Sequence, residues 1–445
     1  MEDRALWDGA VAVLRANDVG GWTKPAPRLY PHQWSWDSTF IAIGLAQLDP
    51  DRALRELESL FRAQWSDGRV PHMAFDPNVR DYAPGPELWS SAASSDAAPR
   101  SPATSGLIQA PTHAIAAWSV LEAIDALPSS PRSADLLRRM AELYPKLLAW
   151  HRYLVERRDT EGTGLITIYH PWEGTDNTPR WDAPLARVEV DRPLSYSRVD
   201  VGLTDASERP TSAEYDKYVW LVGLAREARY DDAAIQRSHP FLVKDIQCSA
   251  IFAAATEALE RIAARVGAPA SDGRSISTWW RRSTAAVQRR WQSGSRLALD
   301  LDLRSGRPIE VPTSAGLSPI LVPHLDPRIA RETAQRMFGP DFAGAAGLIA
   351  RAIPSTAVTA PEFRPRAYWR GPVWPVVNWL LWWGLRRQGM LAEAASLREA
   401  NLTLLRRSGV AFAEYFQPFT GEPLGSRDQS WTAAVTLDWL AASPS

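Results

Sequence analysis

The run His170-Pro-Trp172-Glu173-Gly-Thr-Asp176-Asn177-Thr-Pro-Arg180-Trp181-Asp182 places three carboxylates, two Trp and an Arg in thirteen positions. A carboxylic acid that keeps its proton at neutral pH can hand it to a leaving group. Aromatic surroundings and a second carboxylate raise its pKa by desolvation and like-charge repulsion. Two further groups combine carboxylates with aromatics. Tyr30-Pro-His-Gln-Trp34-Ser-Trp36-Asp37 sets two Trp beside a hydroxyl acceptor, although Asp37 could equally cap a buried helix. Tyr368-Trp369-Arg370-Gly-Pro-Val-Trp374-Pro375 is followed by Glu414-Tyr415-Phe416-Gln417-Pro418. A Trp face stacks on the apolar face of a sugar ring while its N–H bonds a hydroxyl. Two carboxyls from distant segments, brought to face each other, are what glycoside hydrolysis requires.

Other chemistries find little support. GxxxxGK[ST], a complete GxGxxG, GxSxG and HExxH are all absent, and the seven His have no ligand-like spacing. The 445 residues carry 50 Lys+Arg against 51 Asp+Glu, a net charge of −1, which gives no electrostatic reason to bind nucleic acid or an anionic membrane. The acidic start, without a long apolar run, reads as neither signal nor anchor. Cys248 is the single cysteine, in an apolar stretch, and is expected in the core of a cytoplasmic protein. Of the 21 Trp, about half are expected to fill the core.

Helical periodicity must position these groups. Asp49-Pro50-Asp51 supplies an N-cap, a Pro at the first helical position and an acidic first turn, ahead of Leu54, Leu57, Leu60, Phe61 and Trp65 at helix spacing. The pattern returns near 111–127, 134–157, 213–230, 245–266, 276–292, 374–388, 391–407 and 429–442. Strand alternation is confined to 164–169 and 297–303, so the fold expected is all-α with minor β decoration. Loops rich in Trp, Tyr, Pro and Gly at 22–37, 68–110, 169–212 and 361–374 alternate with short turns, which suggests helix pairs whose loops at one end carry function. The Ser/Ala-rich stretch 90–104 reads as a mobile flap. No composition shift divides the chain, so 1–445 is expected to be one domain.

Together WSWD, WEGTDNTPRW, YWRGPVWP, EYFQPFTGEP and QSWTAAVTL, in this order from Leu14-Arg-Ala-Asn-Asp18 to Trp439, resemble glycoside hydrolase family 63 and its bacterial glucosylglycerate and mannosylglycerate hydrolases. The resemblance implies an (α/α)6 barrel and single-displacement hydrolysis that inverts an α-glycosidic linkage. It assigns Asp176 as general acid and Glu414 as general base. Tyr30, Trp34, Trp36 and Asp37 match the pocket around the nonreducing sugar, Trp369, Arg370 and Trp374 its opposite wall, and Gln109 of Ser-Gly-Leu-Ile-Gln-Ala-Pro a sugar contact. Trp172 and Arg180 lie in the acid's own motif. Many relatives have Trp-Glu-Ser-Gly-Met-Asp-Asn; here Gly174-Thr175 is one residue shorter, which leaves Asp182 and Glu173 as alternative acids.

A 2-O-α-glycosyl-D-glycerate is the expected substrate, a small anionic glycoside. Arg209, Tyr215 and Lys217 are candidates for its carboxylate, with Tyr82 closing over it and 80–104 and 203–218 as lid loops. A trehalase-type hydrolase of a neutral α-glucoside and a non-catalytic carbohydrate-binding protein are the rival readings. No metal or cofactor is implied, since two carboxyls and a water suffice. Homo-oligomerisation is left open.

Overall fold

Helices form where the sequence supplies both a cap and a buried face. Asp49 accepts the Asp51 N–H (3.1 Å) with Pro50 at the first helical position. Ser130 and Thr211 each close a capping box with the residue three positions on, Ser133 and Glu214. A computed structural model describes residues 2–80 and 82–442; residue 81, inside the expected 80–104 lid, residue 1 and residues 443–445 lie outside the described set. Each periodic stretch contains a helix: Pro50–Arg62, His113–Asp125, Pro131–Arg157, Ser212–Glu227, Ile246–Arg265, Ala270–Arg289, Pro375–Arg387, Leu391–Arg407 and Ser430–Ala441. Glu2–Asn17, Ser35–Ala46 and Pro327–Met337 are additional helices.

Five α-helices and one 3₁₀ segment close an inner ring in the order Ser35–Ala46, His113–Asp125, Ile246–Arg265, Ser314–Leu321, Pro375–Arg387 and Ser430–Ala441, each packed on the next and the last on the first. Behind them, in the same order, stand Pro50–Arg62, Pro131–Arg157, Ala270–Arg289, Pro327–Met337, Leu391–Arg407 and Glu2–Asn17. This is an (α/α)6 barrel. The two rings differ as their burial demands. All residues of Ser35–Ala46 are buried, whereas Pro50–Arg62 turns Leu54, Leu57, Leu60 and Phe61 inward and leaves Arg55 and Arg62 in water. Gly44 permits the closest approach within the ring, since a Cβ there would lie 2.4 Å from the Ala434 Cα.

The turns from inner to outer helices are short, and the returns are long. The 158–245 return carries Ser212–Glu227 and contributes to a four-stranded antiparallel sheet, Thr167–Ile168, Val243–Lys244, Asp300–Asp302 and Arg307–Ile309 in that order. The 90–104 stretch is tied to its surroundings at several points. Ser91 Oγ donates to the Thr104 carbonyl (2.7 Å), the Ser66 N–H donates to the Ala97 carbonyl (2.9 Å), and the Tyr230 hydroxyl donates to the carbonyl of the buried Trp89. Small Ser and Ala side chains read as disorder in composition but also let backbone segments pack closely. No helix among the described residues is long and apolar enough to cross a membrane.

Three buried ion pairs pin the Trp172–Trp181 loop. Glu173 receives Arg158 in bidentate fashion (2.8 and 2.9 Å) and accepts the N–H groups of Ile108 (3.0 Å) and Tyr169 (2.6 Å). Arg180 donates to Asp245 (3.1 Å), to both oxygens of Asp300 (2.8 and 2.9 Å) and to Thr175 Oγ1 (2.9 Å). Asp245 also caps Ile246–Arg265, which ties the loop to the inner ring. Replacing Arg158 by Met leaves the Glu173 carboxylate buried without its partner, and a loss of about 3–5 kcal/mol is expected in urea unfolding. Wild-type stability in Arg158→Met would mean that the pair does not hold the loop.

Candidate active site

The motif residues converge where the inner helices begin. Trp34 precedes Ser35–Ala46 and Asp37 lies in its first turn, Gln109 stands just before His113–Asp125, Trp369 before Pro375–Arg387, and Glu414 and Trp431 flank the start of Ser430–Ala441. They enclose a cavity of about 910 Å³, its open mouth included. Tyr30, Trp34, Trp36, Asp37, Gln109, Trp369 and Glu414 line one part of it, Asp176 enters from the pinned loop, and Tyr82, Trp172, Asp200, Arg209 and Tyr215 complete the lining.

Four carboxyls, Asp37, Asp176, Asp200 and Glu414, face this space in different settings. Burial, opposed by the Arg209 guanidinium and reinforced by the Glu414 charge, pushes Asp176 up to about 7. Burial, with the Glu414 and Asp176 charges adding to it, pushes Asp37 well above the usual carboxylate range. Glu414 is surrounded by donors: the Tyr30 hydroxyl gives Oε1 a hydrogen bond (2.7 Å), the Ser426 N–H gives one to Oε2 (3.0 Å), and Arg209 Nη1 lies 3.6 Å from Oε2. Arg209 also donates to the Tyr30 oxygen (3.1 Å) and to Asp200 (3.3 Å), and its guanidinium lies 4.1 Å from the centre of the Tyr368 ring. Its Nη1 has no hydrogen-bond partner. Burial alone pushes the His72 imidazole down to about 3, so the ring on this cavity is neutral.

Twelve of the residues assigned from sequence therefore meet at one cavity: Tyr30, Trp34, Trp36, Asp37, Tyr82, Gln109, Trp172, Asp176, Arg209, Tyr215, Trp369 and Glu414. Four do not line it. Arg180 is consumed by its pairs with Asp245 and Asp300. Lys217 donates to the Leu185 carbonyl (2.7 Å), which its long stem reaches more readily than the cavity. Arg370 makes a bidentate pair with Asp182 (2.7 and 2.8 Å). Trp374 stacks flat against Trp369, ring centres 3.5 Å apart, and backs the wall instead of forming it. The alternative acids are thereby occupied as well, Asp182 by Arg370 and Glu173 by Arg158. Cys248 is buried in the core and its thiol is pushed up by burial.

Sequence reasoning passed over Tyr368, Trp431, Asp200, His72 and Trp89, all of which line the cavity. Tyr368 and Trp431 sit inside the quoted motifs, so their neighbours could have indicated them. Tyr368 adopts φ 43°, a left-handed conformation that a bulky residue holds only where its surroundings enforce it. Asp200 is flanked by Val199 and Val201 and carries no local signal.

Residues 30–432 match the family described as the mannosylglycerate hydrolase MGH1-like glycoside hydrolase domain. The glucosylglycerate hydrolase of Mycolicibacterium hassiacum is 43% identical over 436 residues, covering 97% of this chain and 96% of that protein. The mannosylglycerate hydrolase of Thermus thermophilus is 39% identical, covering 97% of this chain and 99% of its own length. A crystal structure of a GH63 mannosylglycerate hydrolase from Thermus thermophilus, in complex with Tris, superposes with a TM-score of 0.87 over 98% of this chain and 99% of that one, at 39% identity. A neutral trehalase from Saccharomyces cerevisiae shares the fold alone, with a TM-score of 0.59 and 14% identity over 94% of this chain and 73% of that one. The chain belongs to the MGH1-like glycoside hydrolases of family 63.

Proposed function

We propose that this glycosidase inverts and hydrolyses 2-O-α-glycosyl-D-glycerates, releasing glucose or mannose, with Asp176 as general acid and Glu414 as general base. The observation that carries the reading is the pair of carboxyls on one enclosed cavity, one held near its neutral form at about 7 and the other surrounded by hydrogen-bond donors. Two relatives are named for glucosylglycerate and mannosylglycerate hydrolysis, and Thermus thermophilus structures of the latter hold D-glycerate and glucose.

The steps follow from the placement. A sugar ring enters among Trp34, Trp36 and Trp369, and its hydroxyls supply the donors that the desolvated Asp37 carboxylate lacks. Asp176 gives its proton to the glycosidic oxygen as the bond to the anomeric carbon breaks. Glu414 takes a proton from the water that attacks that carbon on the opposite face, so the configuration inverts. Arg209, through its unpartnered Nη1, and Tyr215 receive the glycerate carboxylate, and Tyr82 faces them from the 80–104 side. Closure of 80–104 and 203–218 over the aglycone belongs to the same reading.

Asp176→Asn and Glu414→Gln are each expected to lower kcat by several orders of magnitude with the fold retained, and proton NMR of the first product should show inversion. Wild-type turnover in either variant would reject that role. Because the acid must be protonated, kcat/KM should fall with rising pH through about 7, tenfold per unit beyond it. A profile flat to pH 9 would reject an acid with this pKa. Arg209 stands closer to the base than an aglycone residue alone would need to. Arg209→Ala should therefore slow a neutral α-glucoside as well as glucosylglycerate, with a further penalty of roughly ten- to a hundredfold in kcat/KM confined to the anion. Equal losses on both substrates would place Arg209 with the base only and favour a neutral substrate.

A further inference from the structure

Glu208 directly precedes Arg209, yet its carboxylate serves the backbone of another segment. Oε2 accepts the Gly425 N–H (2.9 Å), and Oε1 accepts from Arg366 (3.0 Å), whose second amine bridges to Glu422. The Glu208 carbonyl accepts the Tyr415 hydroxyl (3.2 Å), and the residue is 6% exposed. The next residue after Gly425 is Ser426, whose N–H donates to Glu414 Oε2 (3.0 Å) and whose carbonyl accepts the Glu414 N–H (3.0 Å). The turn lies directly against the carboxylate: Gly425 has φ +68°, and a Cβ there would stand 2.5 Å from Glu414 Oε2. The two Ser426 hydrogen bonds tie the position of Glu414 to that of the turn.

Glu414 accepts hydrogen bonds from Tyr30 and Ser426 and has a third contact, an ion pair with Arg209 Nη1 at 3.6 Å. Two of the three depend on Glu208, Ser426 through the Gly425 N–H and Arg209 through the chain itself. We propose that Glu208 is a positioning residue for hydrolysis: it fixes the Gly425–Ser426 turn that aims the Glu414 carboxylate, and locks that turn to the segment bearing Arg209. The proposal rests on the reading of Glu414 as general base.

The test is steady-state kinetics of Glu208→Ala and Glu208→Gln on glucosylglycerate and mannosylglycerate, beside wild type and Glu414→Gln. A misplacement of about 1 Å at a reacting group costs on the order of a hundredfold. Glu208→Ala is therefore expected to lose about ten- to a hundredfold in kcat while KM stays within about threefold. Glu208→Gln keeps an oxygen for the Gly425 N–H and should recover most of the rate. If the Ala variant does not fold, Glu208→Asp keeps the charge but draws both oxygens back by one methylene, away from the Gly425 N–H, and should show the same loss in kcat. Unchanged kcat in the Ala or Asp variant overturns the proposal. So does a raised KM at constant kcat, which would assign Glu208 to substrate through Arg209. A Gln variant as slow and as destabilised as Ala overturns it too, as a purely structural role. Full turnover in Glu414→Gln, or no hydrolysis of either glycoside by wild type, would instead reject the functional reading on which the proposal rests.

Discussion

The cavity is built around one buried carboxyl, Asp176, held away from water. Asp176 stands on a loop without regular structure, inside a desolvated pocket and across from other carboxyls. Such a loop would rotate its charge outward unless its backbone were fixed on both sides. Glu173 and Arg180 fix it, three residues before Asp176 and four after, by engaging Arg158 on one outer helix and Asp245 and Asp300 on the inner ring and sheet. Buried ion pairs give little net stability against apolar replacements, but breaking one is costly, so they specify a position more than they stabilise it. The same loop thus uses its first carboxylate and its Arg as anchors and presents its second carboxylate to the cavity.

The electrostatics of the cavity follow from that placement. Asp37, Asp176 and Glu414 share a low-dielectric space, and only Arg209 offsets them directly, itself divided among Tyr30, Asp200 and Glu414. Arg198 relieves this crowding by taking Asp200 in a bidentate pair (2.6 and 3.0 Å), which holds that carboxyl below the usual carboxylate range and leaves the unpartnered Nη1 of Arg209 on the reactive side. Burial is what raises Asp176; the Glu414 charge adds to it, and the Arg209 guanidinium opposes both.

What could be read from the sequence depended on whether one segment carried the signal. Four of the six outer helices are legible because a two-sided environment writes a 3.6-residue period, as in Pro50–Arg62, whereas Glu2–Asn17 and Pro327–Met337 are not among the stretches read from sequence. Ser35–Ala46 was assigned to a loop and turn region up to 37 because a helix buried on every side has no polar stripe to reveal it. Asp176 and Glu414 were legible because each sits in a long motif. Arg180, Lys217, Arg370 and Trp374 were misplaced because a motif records which residues occur together and not which way each side chain faces. Arg180 and Trp374 turn to the supporting layer, while Lys217 and Arg370 find partners outside the cavity. Asp200 and Glu208 act only through partners far along the chain, and nothing local in the sequence encodes those pairings.

Ring closure sets the order of events during synthesis. The helix Glu2–Asn17 packs on Ser430–Ala441, and Asn17 donates to the Ser430 hydroxyl (2.9 Å) and the Asp428 carbonyl (2.8 Å). The first inner helix, Ser35–Ala46, has no exposed face, yet one of its two ring neighbours, Ser430–Ala441, lies far along the chain. Until that helix is made the nascent chain presents apolar surface to solvent, with Trp34, Trp36 and Asp37 synthesised long before Glu414. Such a topology couples folding speed to contacts of very high sequence separation, and it makes the growing polypeptide a client for chaperones that shield apolar helices.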